Sequence, residues 1–143
     1  MTKLKKAVAA ATVTGALATL GVATTATPAS AHPITCSWNK GWGTPWSVTS
    51  TAVKGFVQVK CSDRLDDANT RAQLQIYRDG AWRNQGTGVT SYSTAKTIHV
   101  NDSAPKRIGG YHYRTQGTHF GQHGNVWALP TYYSPSRYLV RNG

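Results

Sequence analysis

Glutamate is absent from the sequence and aspartate is scarce, so carboxylate chemistry has few candidate residues. Glycoside hydrolysis usually needs two carboxylates placed on either side of the bond. Three of the five aspartates, Asp63, Asp66 and Asp67, fall within one short stretch, Asp79 lies in a predicted hairpin turn, and Asp102 stands by itself. A Gly-x-Ser-x-Gly elbow and a phosphate-binding glycine loop are also missing. These absences argue against hydrolytic chemistry, and we expect a binding protein rather than an enzyme.

Long apolar runs are absent except near the amino terminus. Three early lysines precede an apolar segment over residues 7–22, and Ala-Ser-Ala at 29–31 matches the small residues that signal peptidase accepts. The segment is rich in Ala, Thr and Gly, and it is too weakly apolar for a spanning helix. We therefore predict a cleaved signal peptide over 1–31 and a secreted, extracellular product that begins at His32, without stable membrane insertion. An uncleaved anchor is the alternative.

Cysteine is nearly absent as well, since the chain has only Cys36 and Cys61. Exported proteins meet an oxidising environment, so we predict a disulfide between these two residues. In the chain-entropy description such a bond stabilises the fold by about 3 kcal/mol. Residues 32–143 suit a single secreted β domain, because their number is typical of one compact domain with one core.

Charge is strongly unbalanced, with 16 Lys and Arg against five Asp and a formal net charge of +11. Thirteen of the basic residues follow residue 31, so the exported part carries a net charge of +8. A cationic exported protein is attracted to anionic surfaces. We expect its partner among anionic cell-wall polymers, polysaccharides and secreted proteins, and nucleic acid fits an exported protein less well. The alternative is that the charge serves solubility alone.

Turn residues are frequent and helical periodicity is missing, whereas alternation of apolar and polar residues is common. Alternation over 56–61 and 72–77 predicts two strands with Val57, Val59, Leu74 among the inward residues. Asp-Gly at 79–80 predicts a hairpin turn. Further short strands are predicted at 97–100, 111–115, 126–129 and 138–140. The pattern favours a small antiparallel β-sandwich of about seven strands, with a small β-barrel as the alternative.

The Gly-Tyr-x-Tyr run that ends at Tyr113 resembles the late strand of immunoglobulin-like and fibronectin-like domains, in which a tyrosine locks a corner of the sandwich. The resemblance covers roughly residues 54–116 and implies the sandwich architecture alone. The cysteine that usually follows the corner tyrosine by two positions is absent here. With its Thr/Ala-rich signal and basic β domain, the chain is also similar to secreted actinobacterial proteins of unknown function.

Aromatic residues give the clearest indication of binding. Trp38, Trp42 and Trp46 recur at every fourth position, but the intervening glycines and proline exclude a helix. We predict an aromatic loop next to the disulfide, with these three tryptophans as ligand contacts, because exposed aromatic rings stack on ligands and anchor interfaces. The alternative is that some of these rings cap the core.

Two other segments combine aromatic and basic residues. The carboxy-terminal stretch over 132–141 contains three tyrosines and two arginines, a mixture suited to stacking and charge recognition. Trp82 and Arg83 follow the predicted hairpin turn and could project as a protein-binding tip, as in small secreted inhibitors. We instead expect Trp82 to point into the core, because it follows the turn in phase with the strand.

A mature amino terminus at His32 would offer an α-amine and an imidazole, two nitrogen donors that suit Cu(II). This arrangement resembles copper-dependent polysaccharide monooxygenases, which bind copper through an N-terminal His and a second His on a β-sandwich. The resemblance implies copper as a cofactor and polysaccharide oxidation as an activity. Otherwise we expect no cofactor. The candidate second ligands are His99, His112, His119 and His123.

Two other groups of residues are candidate metal ligands. His119 and His123 are four residues apart, but the glycines around them predict a loop, on which the two rings could still converge on a metal. Oxygen-rich side chains after Cys61 could hold calcium, or they could cap turns. These side chains are Asp63, Asp66, Asp67 and Asn69.

The sequence therefore predicts a secreted, non-catalytic binding module whose ligand is a cell-wall or other polysaccharide. A secreted inhibitor or antibacterial effector protein is the first alternative. Copper-dependent polysaccharide oxidation through His32 is the second.

Overall fold

The computed structural model describes residues 33–143, so the predicted signal peptide and His32 lie outside the described residues. Within 33–143 the chain forms ten strands and no helix, and so no helix there is long and apolar enough to cross a membrane. The strands are β1 (Cys36–Trp38), β2 (Trp46–Ser47), β3 (Ala52–Cys61), β4 (Asp67–Arg78), β5 (Ala81–Asn84), β6 (Val89–Ser91), β7 (Thr97–Pro105), β8 (Gly109–His123), β9 (Asn125–Tyr133) and β10 (Arg137–Arg141).

The strands form two antiparallel sheets, which confirms the predicted all-β sandwich. In the four-stranded sheet, β1 and β2 pair with β3 near its two ends, and β7 pairs with β3 along nearly its whole length. In the six-stranded sheet, β4 and β8 form the long central pair. Strands β5 and β6 pair with β4, whereas β9 and β10 pair with β8. The sequence underestimates the strand number because the short strands β1, β2 and β6 carry no alternation of their own.

Alternation along the long strands builds the core between the two sheets. Buried residues alternate with more exposed ones through β3 and β7, as a strand with one face on the core requires. One apolar cluster contains Val57 and Val59 from the four-stranded sheet together with Ala72 from the six-stranded sheet. A second cluster brings Leu74 and Tyr113 together. The inward positions predicted for Val57, Val59 and Leu74 are thus confirmed.

The predicted disulfide between Cys36 and Cys61 is present. The two cysteines are direct partners in the register of β1 and β3, so the bond joins the first strand to the long strand beside it. This link holds the amino-terminal strand of the domain in place.

Two local features fix the direction of the chain between consecutive strands. The hairpin from β4 to β5 turns at Asp79 and Gly80, which both have positive φ, 54° and 78°. This conformation confirms the turn predicted from Asp-Gly. The hydroxyl of Tyr113 accepts a hydrogen bond from the backbone N–H of Arg107 at 3.0 Å, so the tyrosine ties a corner between β7 and β8.

Candidate functional site

The structure separates the three tryptophans that the sequence groups together. Trp38 lies in the core, with 8% of its surface exposed, and stacks on Tyr132 with ring centroids 5.5 Å apart. Its indole N–H donates to the carbonyl oxygen of Pro130 at 2.7 Å. Trp38 is therefore not an exposed ring, because the residue is inward in β1 and packs between the sheets, and its role as a ligand contact stays a prediction.

Trp42 and Trp46 lie on the outer face of the four-stranded sheet, where both rings pack edge-on against Phe56 at 6.2 Å. The ring of His99 stacks on Phe56 at 4.4 Å. We call these four residues the Phe56 cluster. Trp42 is 52% exposed, so its role as a ligand contact remains a prediction, as does that of the half-buried Trp46.

The outer face of the six-stranded sheet carries a second aromatic group, arranged around Arg114. Because Tyr113 faces the core, Arg114 points away from it. The register of β4 and β8 places Gln75 opposite Arg114. β5 contributes Trp82 and β9 contributes Tyr133, so the group extends across four neighbouring strands. This width is about 14 Å at the usual spacing between strands.

The guanidinium of Arg114 lies against two aromatic rings. Its central carbon is 4.2 Å from the ring centroid of Trp82 and 4.0 Å from that of Tyr133. Stacking of this kind is favourable because the faces of aromatic rings carry negative charge density. Tyr77 packs edge-on against Trp82 with centroids 5.3 Å apart. We call Tyr77, Trp82, Arg114 and Tyr133 the arginine–aromatic cluster.

Amide side chains surround the cluster and fix its arginine. Nε of Arg114 donates to Oε1 of Gln75 at 2.9 Å, and the amide of Gln75 donates in turn to Asn84 at 3.2 Å. The amide of Gln116 reaches the hydroxyl of Tyr133 at 3.4 Å. The cluster is therefore a preorganised polar and aromatic surface rather than a set of independent side chains.

The terminal amino groups of Arg114 stay available. Within residues 33–143, no oxygen accepts a hydrogen bond from them and no carboxylate forms an ion pair with this guanidinium. Burial lowers the pKa of Arg114, and the nearby Tyr133 opposes that shift. An arginine remains charged under such conditions. The site thus presents a positive charge with unused hydrogen-bond donors.

Trp82 does not point into the core, so that prediction is wrong. It is half-buried on the outer face and is the cross-strand partner of Tyr77. The register of the β4–β5 hairpin pairs Trp82 with the exposed Tyr77, so both side chains lie on the outer face of the sheet. β5 is also an edge strand of this sheet. The neighbouring Arg83 lies within 3.9 Å of Asp79 at the turn.

The predicted histidine pair does not converge. His119 and His123 both lie in strand β8, not in a loop, because β4 and β9 pair with that part of β8 on both sides. Four residues of a strand extend about 13 Å, so one metal ion does not reach both rings. His99 lies in the Phe56 cluster, and His112 packs against Tyr138 on the opposite face. His32 lies outside the described residues, so the copper hypothesis stays a prediction.

The acidic stretch after Cys61 is used by the backbone. Asp63 and Asp67 each accept a hydrogen bond from the next backbone N–H, and Asp66 accepts one from Gly124 at 2.9 Å. No three carboxylates of residues 33–143 converge on a common point. The arrangement favours turn capping over calcium binding.

Comparison with known proteins assigns no family to this chain. No family model matches the chain, and no curated protein matches it. A crystal structure of a Bordetella pertussis protein described as ApaA is 13% identical and is matched over 76% of this chain and 94% of that one, with a TM-score of 0.36. A similarity at this level carries no functional argument.

Proposed function

We propose that this protein is an exported binding module for an acidic polysaccharide, and that the arginine–aromatic cluster is its contact surface. The observation that carries the proposal is the guanidinium of Arg114, stacked between two rings with its terminal donors unused. A planar guanidinium recognises a carboxylate or sulfate through two parallel hydrogen bonds. The stacking supports binding because it holds the guanidinium in one orientation before the ligand arrives.

The surroundings of Arg114 favour a sugar polymer as the bearer of that anionic group. Tyr133 is 46% exposed and offers aromatic surface for the apolar face of a sugar ring. The more accessible Asn84 and Gln116 supply amides that can exchange hydrogen bonds with hydroxyl groups. An open surface about 14 Å wide is long enough for more than one sugar ring of an extended chain.

Charge and compartment support the same proposal. The part of the chain after residue 31 carries a formal net charge of +8, which attracts anionic polymers over distances of about a Debye length, roughly 10 Å in 0.1 M salt. A disulfide is typical of proteins that work outside the reducing cytosol. The cluster itself contains no carboxylate that could act with another as an acid and base, so the role we propose for it is binding.

Retention on immobilised polysaccharides tests the proposal. We expect the protein to be retained on a uronic-acid polymer such as polygalacturonate and to pass through neutral dextran. Arg114→Gln should weaken binding at least tenfold, because a charge-assisted hydrogen bond contributes about 1.5–3 kcal/mol. Arg64→Gln is the matched control, since it removes the same charge from an exposed residue outside the cluster and should bind like the parent protein.

Two results would contradict the proposal. Equal weakening by the two substitutions would show that net charge, rather than the cluster, drives retention. Binding to single-stranded DNA that depends on Arg114, with no retention on any acidic polysaccharide, would assign the same surface to nucleic acid.

A further inference from the structure

A group of possible metal ligands lies between the two sheets, away from both outer faces. One ring nitrogen of His119 and the sulfur atoms of Cys36 and Cys61 all lie within 4.8 Å of one another. The cysteines come from β1 and β3 of one sheet, whereas His119 comes from β8 of the other. The packing of the sandwich thus places a histidine beside the disulfide.

His119 is held in place but only half satisfied. It is 3% exposed, and its Nδ1 lies 2.7 Å from the hydroxyl of Thr70. Its Nε2 is buried and has no hydrogen-bond partner within residues 33–143. Buried polar atoms usually have a partner, and a metal ion is one partner that a neutral imidazole nitrogen takes. A hydrogen bond to one nitrogen is also how proteins orient a histidine that binds metal through the other.

The neighbourhood is reachable from the surface. A cavity of about 350 Å³ is lined by Cys36, and one of about 470 Å³ is lined by His119. Leu129 and Thr131 of β9 line both cavities. A reductant can therefore approach the disulfide from the side of the half-buried Cys36.

We propose that Cys36, Cys61 and His119 bind a thiophilic metal ion such as zinc when the disulfide between the two cysteines is reduced. A dithiol reductant supplies two electrons and two protons and becomes a disulfide, while the bond between Cys36 and Cys61 breaks to give two thiols. Metal binding then releases the two thiol protons to solvent. The neutral imidazole supplies the third ligand, which leaves one position of a tetrahedral site for water.

The geometry suits this ligand set. In a tetrahedral site with zinc–sulfur bonds of about 2.3 Å, the two sulfur atoms lie about 3.8 Å apart, so they must move apart after reduction, whereas the imidazole nitrogen already lies within 4.8 Å of both. Two thiolates and one imidazole are the donors that zinc and copper(I) prefer. While the disulfide is intact, both sulfur atoms are bonded to each other, and the site does not form.

Cobalt titration of the reduced chain tests the site. The purified protein is reduced with a phosphine, freed of reductant without air and titrated with Co²⁺. We expect thiolate-to-cobalt charge-transfer absorption at one equivalent, displacement by Zn²⁺ and no such absorption for the oxidised protein. His119→Gln should weaken metal binding at least tenfold and change the cobalt d–d bands. His112→Gln is the matched control in the same strand and should behave like the parent protein.

Circular dichroism on the same samples covers the case in which reduction unfolds the domain. A reduced chain that loses its β signal should regain it on addition of Zn²⁺, because metal binding is then coupled to folding. The proposal is overturned if the reduced chain shows no charge-transfer band. It is equally overturned if His119→Gln binds Co²⁺ as tightly as the parent protein, or if Zn²⁺ leaves an unfolded reduced chain unfolded.

Discussion

The two outer faces of the sandwich both carry aromatic rings, but the rings are engaged differently. In the Phe56 cluster, rings pack on rings, with Trp42, Trp46 and His99 gathered around one phenylalanine. In the arginine–aromatic cluster, rings enclose a charged group whose remaining donors face no protein acceptor within 33–143. The difference teaches that aromatic content does not by itself define a ligand site. An unsatisfied polar group fixed among the rings is the stronger indication.

The largest expected effect separates the core tryptophan from the surface tryptophan near it in sequence. Trp38→Ala should reduce the free energy of unfolding by about 3–5 kcal/mol, because it empties a packed position between the sheets. Trp42→Ala should cost less than about 1.5 kcal/mol, since half of that side chain is in solvent already. Urea denaturation of the two variants checks this. Similar losses would show that the outer ring is as structural as the inner one.

The next largest effect on stability is expected at Asp102, which joins the four-stranded sheet to the six-stranded sheet. Its carboxylate on β7 accepts a hydrogen bond from the backbone N–H of Leu74 on β4 at 2.8 Å, and the residue is 2% exposed. Asp102→Ala should cost about 1–3 kcal/mol of folding free energy, because the N–H of Leu74 loses its acceptor. Asp102→Asn keeps an acceptor oxygen and should cost much less.

The pH dependence of the same residue gives an independent check. Burial raises the pKa of Asp102 above its ordinary value, and its backbone hydrogen bonds only partly oppose that shift. The folded state therefore binds the proton more tightly than the unfolded state. The contribution of Asp102 to the free energy of unfolding is therefore full below the ordinary carboxyl pKa, and it is lost as pH rises through the raised pKa. Thermal melts across this window should show Asp102→Asn gaining on the parent protein as pH rises, whereas a constant difference would contradict the assignment.

The smallest effect compares ring removal on the two faces. Tyr133→Ala should weaken binding to an acidic oligosaccharide by about 0.5–2 kcal/mol, because Arg114 loses one of its two stacking partners. Trp42→Ala on the opposite face should leave affinity unchanged. Calorimetric titration measures both. A larger loss from Trp42→Ala would move the binding site to the Phe56 cluster, where the sequence pattern had suggested it.

The parts of the fold that sequence reasoning predicts are those with a local or forced signal. Two cysteines leave only one disulfide to form within the chain, and it is present. The alternation around Val57 and Leu74 identifies their inward faces without knowledge of the partner strand. The same alternation places Tyr113 inward and hence Arg114 outward.

The site itself depends on contacts that local patterns do not contain. Arg114 meets Trp82 and Tyr133 only through the registers of β4, β5, β8 and β9, which no short stretch of sequence specifies. The regular spacing of the tryptophans is likewise misleading, because Gly41 and Gly43 adopt positive φ and reset the direction of the chain between them. The expected loop at His119 became a strand since neighbouring strands outweigh the weak propensity of its glycines.

The most direct test of the central claim follows the five tryptophan indole N–H signals by NMR while an oligogalacturonate is added. We expect the Trp82 indole and the Arg114 side-chain signals to shift with a common saturation curve, while the indoles of Trp42 and Trp46 stay in place. Shifts confined to Trp42 and Trp46, with Trp82 and Arg114 unmoved at saturation, would contradict the claim and place the ligand on the opposite face.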